Sequence, residues 1–306
     1  MVDIEDWLSA NNESALKVAL KSAERTEKQL EEHVKILTEW MTTQPHLPEK
    51  PSGNFLVNML LMNKFSIEKC KQRIDMFYTV RTLLPEIYEK MDSRMMVRTA
   101  NELYFFPLPK RTAGEDRIYI AKIVENCTEN WDFDRWMGYA SNILGFRMDE
   151  DILTTNIVID DVNKIKLSEL LKITPIHLKK AVMILEKVYS NRIKQWHFVN
   201  CPSYAYNLLA LFKSLIKPKL ASRIFIHEDC SKLGDIVPLE ILPKEYGGSE
   251  LSLFELNELW KKKLATNASR FDTLAKLKTY ENLRPSPLVN DEIFGFHGNF
   301  RKLEMD

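Results

Sequence analysis

Cysteine and glycine are both scarce in this chain of 306 residues, and their scarcity removes several kinds of chemistry. The four cysteines, Cys70, Cys127, Cys201 and Cys230, lie far apart, with no Cys-x-x-Cys pair and no Cys/His cluster of zinc spacing. They read as free thiols in a reducing compartment, and no metal is expected. The nine glycines form no Walker loop and no Gly-x-Gly-x-x-Gly, and neither Gly-x-Ser-x-Gly nor His-Glu-x-x-His occurs. A phosphate cradle made of backbone is therefore absent, and no cofactor is expected. Net charge is lacking too: 43 basic residues balance 43 acidic ones, so bulk electrostatics favours neither nucleic acid nor an anionic membrane. No apolar run of about 18 residues could span a bilayer. Met1-Val2-Asp3-Ile4-Glu5-Asp6 has neither the basic start nor the apolar run of a signal peptide, which points to the cytoplasm.

What is abundant is apolar side chain, 45% of residues with 10% aromatic, enough for a large core. Residues 14–43 read as a helix, with Leu30, Val34, Leu37 and Trp40-Met41 at helical spacing before Pro45 and Pro48. A second helical stretch begins near Ser52-Gly53-Asn54, breaks at Phe65 and restarts behind Ser66, a suitable N-cap, to end near Pro85. From Leu103 the character changes. Leu103–Phe106 and Ile118–Val124 are short β-rich runs, 133–144 is amphipathic helix, 154–159 is strand, 175–188 is helix and 196–200 is strand. Strands alternating with helices predict an α/β sheet with crossover helices. Ser249–Leu264 reads as a further helix, and Phe294 to Leu303 as an aromatic strap or a solvated tail.

The most informative stretch is 196–248. A strand, Trp196 to Asn200, breaks at Cys201-Pro202. The segment from Tyr204 to Ile216 then has helical length without a solvent face, since only Asn207, Lys213 and Ser214 are clearly polar. Pro202 and Pro218 bound it, giving about 15 residues or about 22 Å. A short strand, Arg223 to His227, follows, and then Leu242-Pro243-Lys244-Glu245-Tyr246-Gly247-Gly248. The greasy segment is either a buried core helix or a lid over an apolar ligand, with Phe212 meeting a membrane when the lid opens.

Candidate catalytic groups fail on geometry. Asp160 and Asp161 end a strand, where neighbours point to opposite faces, so they make a poor carboxylate pair. Alternation likewise separates His197 from Cys201, and no third group completes a nucleophile. No catalytic residue is assigned. What remains is apolar surface on three helices: Trp136, Tyr139 and Ile143; then Ile173, Ala181, Ile184, Leu185 and Tyr189; then the lid with Leu208, Phe212 and Leu215. Three such faces beside a sheet can pack solid or enclose a pocket. A group of cations, Arg192, Lys194, Lys213, Lys217, Lys219 and Arg223, lies around the end of the lid.

These residues carry a resemblance to the CRAL-TRIO lipid-binding family, in its branch of α-tocopherol-transfer-protein-like and retinaldehyde-binding-like members. Asn200-Cys201-Pro202, Lys217-Pro218, Ile224 to His227 and Leu242 to Gly248 resemble the family's strand, gate helix and closing element in order. Pro45-His46-Leu47-Pro48, Lys64-Phe65-Ser66-Ile67-Glu68-Lys69 and Arg81-Thr82-Leu83-Leu84-Pro85-Glu86 resemble its N-terminal module, and the similarity runs from about Leu30 to about Leu264. The resemblance implies a helical domain over 1–95, an α/β lipid-binding domain over 96–264 with a mixed, mostly parallel sheet, and a tail over 265–306. It implies a pocket lined by Trp136, Tyr139, Ile143, Ile159, Ile173, Ala181, Ile184, Leu185 and Tyr189 beneath the gate, with Tyr139 fixing the ligand's head. It also implies an anionic-lipid patch, which Arg192, Lys194 and Lys217 match; Lys213 and Arg223 extend that patch by their place around the end of the lid. Asn58, Leu61 and Asn63 stand where many members carry arginine, which leaves that patch incomplete, and Asn163 stands where a turn glycine is usual. The expected function is a monomeric carrier of a small lipophilic ligand, tocopherol-like, retinoid-like or another isoprenoid, acting at membrane surfaces that include anionic phospholipids. A non-carrying adaptor and a phospholipid or phosphoinositide transfer protein are the alternatives.

Overall fold

Glu24 has a left-handed backbone, with φ 54°, and there the single helix expected over 14–43 splits in two. The computed structural model describes residues 8–9, 12–124, 132–163, 165–189 and 192–286. The expected strap at Phe294 to Leu303, Cys127 and Met1 to Asp6 lie outside them. Helix α1 (Asn12–Ala23) stops at the break, and α2 (Glu27–Thr42) restarts behind Thr26. The Thr26 hydroxyl accepts the Gln29 N–H while the Gln29 side chain accepts the Thr26 N–H, a reciprocal cap that favours two helices over one. Ser52 caps α3 (Gly53–Met62) one way only, its hydroxyl accepting the Phe55 N–H at 3.1 Å, whereas Ser66 stands before α4 (Ile67–Leu83) without a side-chain capping bond. Helices α5 (Pro85–Tyr88) and α6 (Ser93–Ala100) complete the N-terminal module.

Strands β1 (Leu103–Arg111) and β2 (Arg117–Ile123) form an antiparallel pair, and β3 (Asn156–Asp161), β4 (Ile193–Val199) and β5 (Ile224–Ile226) add in parallel, in the order β1-β2-β3-β4-β5. The sheet is mixed and mostly parallel, and its parallel connections run through helices, as that geometry requires. Helix α7 (Phe133–Glu150) joins β2 to β3. Helix α8 (Leu167–Leu170), α9 (Pro175–Met183) and a π-helical turn (Ile184–Tyr189) join β3 to β4. A 3-10 turn (Ser203–Ala205), α10 (Tyr206–Leu215) and α11 (Pro218–Ala221) join β4 to β5, and α12 (Leu253–Thr266) and α13 (Ala268–Lys276) follow.

Side chains on one face of the sheet meet α7, α9 and α10, while the other face backs onto α12 and the turn at Tyr246. Tyr246 is buried and its hydroxyl donates to Asp161 Oδ2 at 3.0 Å. The two glycines beside it have separate reasons. Gly247 takes φ 77°, whereas a Cβ on Gly248 would lie 1.9 Å from the Leu242 carbonyl oxygen. The turn after β3 forms without the glycine that the resemblance would place at residue 163. Asn163 is not left-handed; the Asp161 carboxylate closes the turn by accepting the Asn163 N–H at 3.1 Å. The left-handed asparagine is Asn200, with φ 52°, at the end of β4, and its amide donates to the same carboxylate.

The buried apolar residues fall into two clusters. The larger runs from Leu20 and Phe55 in the N-terminal module through Ile120, Ile143 and Ile159 to Trp260 and Phe271. The smaller joins Leu170 and Leu178 to Trp196 and Phe198 on β4 and to Ala205, Leu209, Phe212 and Ile216 in and beside α10.

Candidate functional site

Between the two clusters lies a cavity of about 230 Å³. Alternation along the strands makes its floor: Leu103 and Phe105 on β1, Tyr119 and Ala121 on β2, Val158 and Asp160 on β3, Trp196 and Phe198 on β4. Register places Tyr119 beside Val158, Val158 beside Trp196, and Asp160 beside Phe198, so one continuous face results. Helix α7 supplies a wall from Phe133, Trp136, Met137, Ala140, Ser141 and Leu144, a stripe at helical spacing. Ile173, Ala181, Ile184, Leu185 and Tyr189 form the second wall, and Pro202, Ala205, Leu208, Leu209 and Phe212 the roof.

Of the residues expected in the lining, Trp136, Ile173, Ala181, Ile184, Leu185, Tyr189, Leu208 and Phe212 are brought together there. Tyr139, Ile143, Ile159 and Leu215 are not among the lining residues, and these four positions are corrections. Helix α7 is covered on two sides, by the cavity and by α3, α5, α6 and α13, so both of its stripes are apolar. Tyr139 and Ile143 sit on the stripe away from the cavity, where Tyr139 turns to Trp260 and is fully buried. Ile159 follows from strand alternation: Val158 and Asp160 face the cavity, so Ile159 faces the other side. Leu215 packs at the edge of the gate cluster. Phe212 faces inward, edge-on to Trp196 with ring centroids 5.6 Å apart, and not outward to a membrane. The floor residues Phe105, Tyr119, Trp196 and Phe198 were missed, although period-2 alternation through Trp196 and Phe198 carried the signal.

The polar groups of the cavity are few. Asp160 Oδ2 accepts the Trp196 indole N–H at 2.9 Å, and Oδ1 receives no hydrogen bond from the described residues. Burial pushes its carboxyl up to about 7, against the indole bond that favours the charged form. Asn156 Oδ1 is buried without a partner among the described residues. Across from them the Ser141 carbonyl accepts the Tyr189 hydroxyl at 2.6 Å. Asp161 and Lys122 also border the cavity, but they pair with each other at 2.8 Å and Asp161 accepts the Tyr246 hydroxyl, so Asp161 is tied away from Asp160.

No nucleophile is assembled at His197 and Cys201. His197 Nδ1 lies 2.9 Å from His227 Nε2, and Phe225 stacks on the ring, on the face away from the cavity. Burial, with the neighbouring His227, lowers His197 to about 4, and burial raises the Cys201 thiol to about 11. Cys70, Cys201 and Cys230 are free thiols.

The expected cationic patch is dispersed. Lys194 pairs with Asp116 at 2.7 Å, Lys213 donates to the Ile224 carbonyl at 3.2 Å, and Lys217 pairs with Glu186 at 3.3 Å. Arg223 donates to the Ile193 carbonyl, and Arg192 is half-buried. Asn58, Leu61 and Asn63 are all buried, and Asn58 holds the Met148 and Asp151 carbonyls at 3.0 and 2.7 Å, so arginine positions of the resemblance are packing positions here. Apolar side chains are exposed instead: Leu171, just after α8, is 75% exposed, and Leu167, Tyr204 and Leu211 lie on the outer side of the elements that cover the cavity. Among the described residues, no helix is long and apolar enough to cross a membrane.

Comparison with known proteins adds identity at the level of domains. Residues 26–95 match the family model of the Pinta-like UBA domain, and residues 101–248 that of the CRAL/TRIO domain. An α-tocopherol transfer protein-like protein of Mus musculus is 24% identical over 208 residues, 67% of this chain and 61% of that protein. Clavesin-1 of Rattus norvegicus is 35% identical over 94 residues, 30% of this chain and 27% of its own length. The alignment thus spans less than two thirds of either relative. The solved structure of Sfh5 has a TM-score of 0.43 at 14% identity, over 83% of this chain and 82% of that one, too loose a likeness to add weight.

Proposed function

The chain carries a CRAL/TRIO domain over residues 101–248 behind a UBA-like helical stretch, and on that premise we propose that it is a cytoplasmic, non-enzymatic carrier of a small lipophilic molecule. The observation that carries this reading is the cavity lying between two separate apolar clusters, with the gate in the smaller one. A gate whose packing belongs to its own cluster can lift without dismantling the main core. Apolar lining supplies affinity at about 25 cal/mol per Å² of ligand surface removed from water. Asp160 and Asn156 suit a neutral head that hydrogen-bonds, such as a hydroxyl or carbonyl, and disfavour a carboxylate or phosphate beside a carboxyl already short of solvent. On this reading isoprenoid alcohols and aldehydes, tocopherol-like and retinoid-like molecules among them, are favoured over phospholipids.

Leu167, Leu171, Tyr204 and Leu211 form an apolar outer rim on the elements that cover the cavity. They support docking on a membrane surface during loading and release. The dispersed cations support a mild attraction to anionic lipid without headgroup selection, since selective recognition needs convergent donors. Native mass spectrometry of the purified chain with lipid extraction tests the reading. One neutral lipid per chain is expected. Protein that emerges empty and takes up no lipid from vesicles would return the chain to the adaptor alternative.

A further inference from the structure

The π-helical turn that forms part of the cavity wall also reaches the gate. Ile184, Leu185 and Tyr189 of that turn line the cavity, but Glu186 between them does not. Its carboxylate takes both donors of one residue: Oε1 accepts the Lys217 backbone N–H at 2.8 Å, and Oε2 lies 3.3 Å from Lys217 Nζ. Lys217 is the junction of α10 and α11, and Pro218 behind it has no N–H to offer. The Glu186 side chain is sheltered, 14% exposed, while that of Lys217 is 67% exposed. The Glu186 carbonyl in turn accepts a hydrogen bond from Arg73 of α4, and α4 packs along the π-helical turn. The N-terminal module thus braces the residue that holds the hinge. Elsewhere the gate is held by neutral acceptors, with the Tyr204 hydroxyl on the Ile165 carbonyl at 2.7 Å and Lys213 on the Ile224 carbonyl. A π-helical turn inserts a residue into an α-helical path and is common at functional positions. Here it turns one carboxylate out of the cavity wall toward the hinge while its neighbours stay in the lining.

We infer that Glu186 is a positioning residue that latches the gate: it sets how often α10 lifts, and so the rate of lipid exchange without its extent. The inference rests on the carrier reading of the cavity. The bond to the backbone N–H is the larger part, being charge-assisted and sheltered. The ion pair adds little, because its ammonium is mostly in water.

Three variants of the full chain separate these parts: Glu186→Ala, Glu186→Gln, which keeps an acceptor for the N–H, and Lys217→Ala, which keeps the N–H. Nile red loaded from phosphatidylcholine vesicles reports exchange, and amide hydrogen exchange over residues 206–221 reports the gate directly. Release of Nile red and amide exchange should rise roughly tenfold in Glu186→Ala, and about twofold in Glu186→Gln and in Lys217→Ala. The last two should not add when combined. The amount of Nile red bound at saturation should stay unchanged in all, because Glu186 lies outside the lining. Unaltered gate amides in both Glu186 variants overturn the latch whether or not the probe binds. A saturation level that falls with the rate overturns it too, by making Glu186 part of the cavity. If the wild type takes up no Nile red while Glu186→Ala frees the gate amides, the carrier reading fails and the latch stands.

Discussion

Asp160 is a cavity-lining carboxyl without a cationic partner among the described residues, and its environment makes it a titrating group near neutral pH. Its folded-state value of about 7 lies above the 3.8 of a free aspartate because burial penalises the charge. A raised carboxyl binds its proton more tightly in the folded than in the unfolded chain, so stability falls as pH rises from about 4 to about 7 and is level above. Asp160→Asn keeps an oxygen for the Trp196 indole and cannot ionise. Urea unfolding should show the two proteins close at pH 4, with the variant more stable by on the order of 3 kcal/mol at pH 8. Parallel pH profiles would mean that water keeps Asp160 charged in the cavity. Ala181, on the opposite wall, tests the cavity by volume. Ala181→Trp should lower lipid uptake at least tenfold while costing less than the roughly 1–3 kcal/mol of overpacking a solid core. A large loss of thermal stability with normal uptake would argue for solid packing there.

The elements differ in how plainly the sequence announces them, and the reasons are local. The sheet was legible because Ile157-Val158-Ile159 and Trp196 to Val199 are strand-forming runs set between helical ones. The gate was legible because two prolines bound a segment with no polar face. The face of α7 was not, because a helix covered on both sides carries two apolar stripes and periodicity alone does not say which meets the cavity. The break at Glu24 was missed because Thr26 and Gln29 form a capping box inside what reads as one charged helix. With Phe212 turned inward, the exposed apolar residues beside the cavity that the proposed docking would use are Leu171 and Leu167 around α8 and Tyr204 and Leu211 around α10. A charge there should make entry into the acyl region costly. Leu171→Asp is expected to slow transfer of bound lipid to vesicles several-fold and to leave lipid content unchanged, measured side by side on loaded protein. Phe212→Asp should do the reverse, emptying the cavity. Equal effects on content from both variants would mean that Leu171 also serves the bound lipid.

Across the whole molecule the shared core joins the N-terminal module to the α/β domain, and a buried charge cluster within the α/β domain sits against that junction. Asp151, at the end of α7, is fully buried, and three guanidinium groups surround it. Arg117 reaches Oδ1 at 3.0 Å, Arg111 bonds the same oxygen, and Arg147 reaches Oδ2 at 3.0 Å through Nε. Its backbone carbonyl accepts from Asn54 and Asn58 of α3 at 3.0 and 2.7 Å, so the residue is held by both modules. Burial by itself would raise the Asp151 carboxyl; Arg117, Arg147 and Arg111 outweigh it and hold the group well below the usual carboxylate range. Burial also lowers the Arg147 guanidinium to about 10, with Asp151 opposing the shift. A depressed carboxyl contributes stability that is present above its unfolded-state pKa and is lost as pH falls below it. The contribution is therefore constant from pH 8 to about 5 and fades as the solution is made more acid than about pH 4. Asp151→Asn removes the charge while keeping the shape, leaving three buried cations around one neutral amide, at a cost of about 3–5 kcal/mol near pH 7. Urea unfolding at pH 7 and at pH 3 should show a large gap between wild type and variant at the higher pH and a smaller one at the lower. A variant within about 1 kcal/mol of wild type at pH 7 would show that the three guanidinium groups do not depend on the Asp151 charge, and would leave the apolar core as the source of stability there.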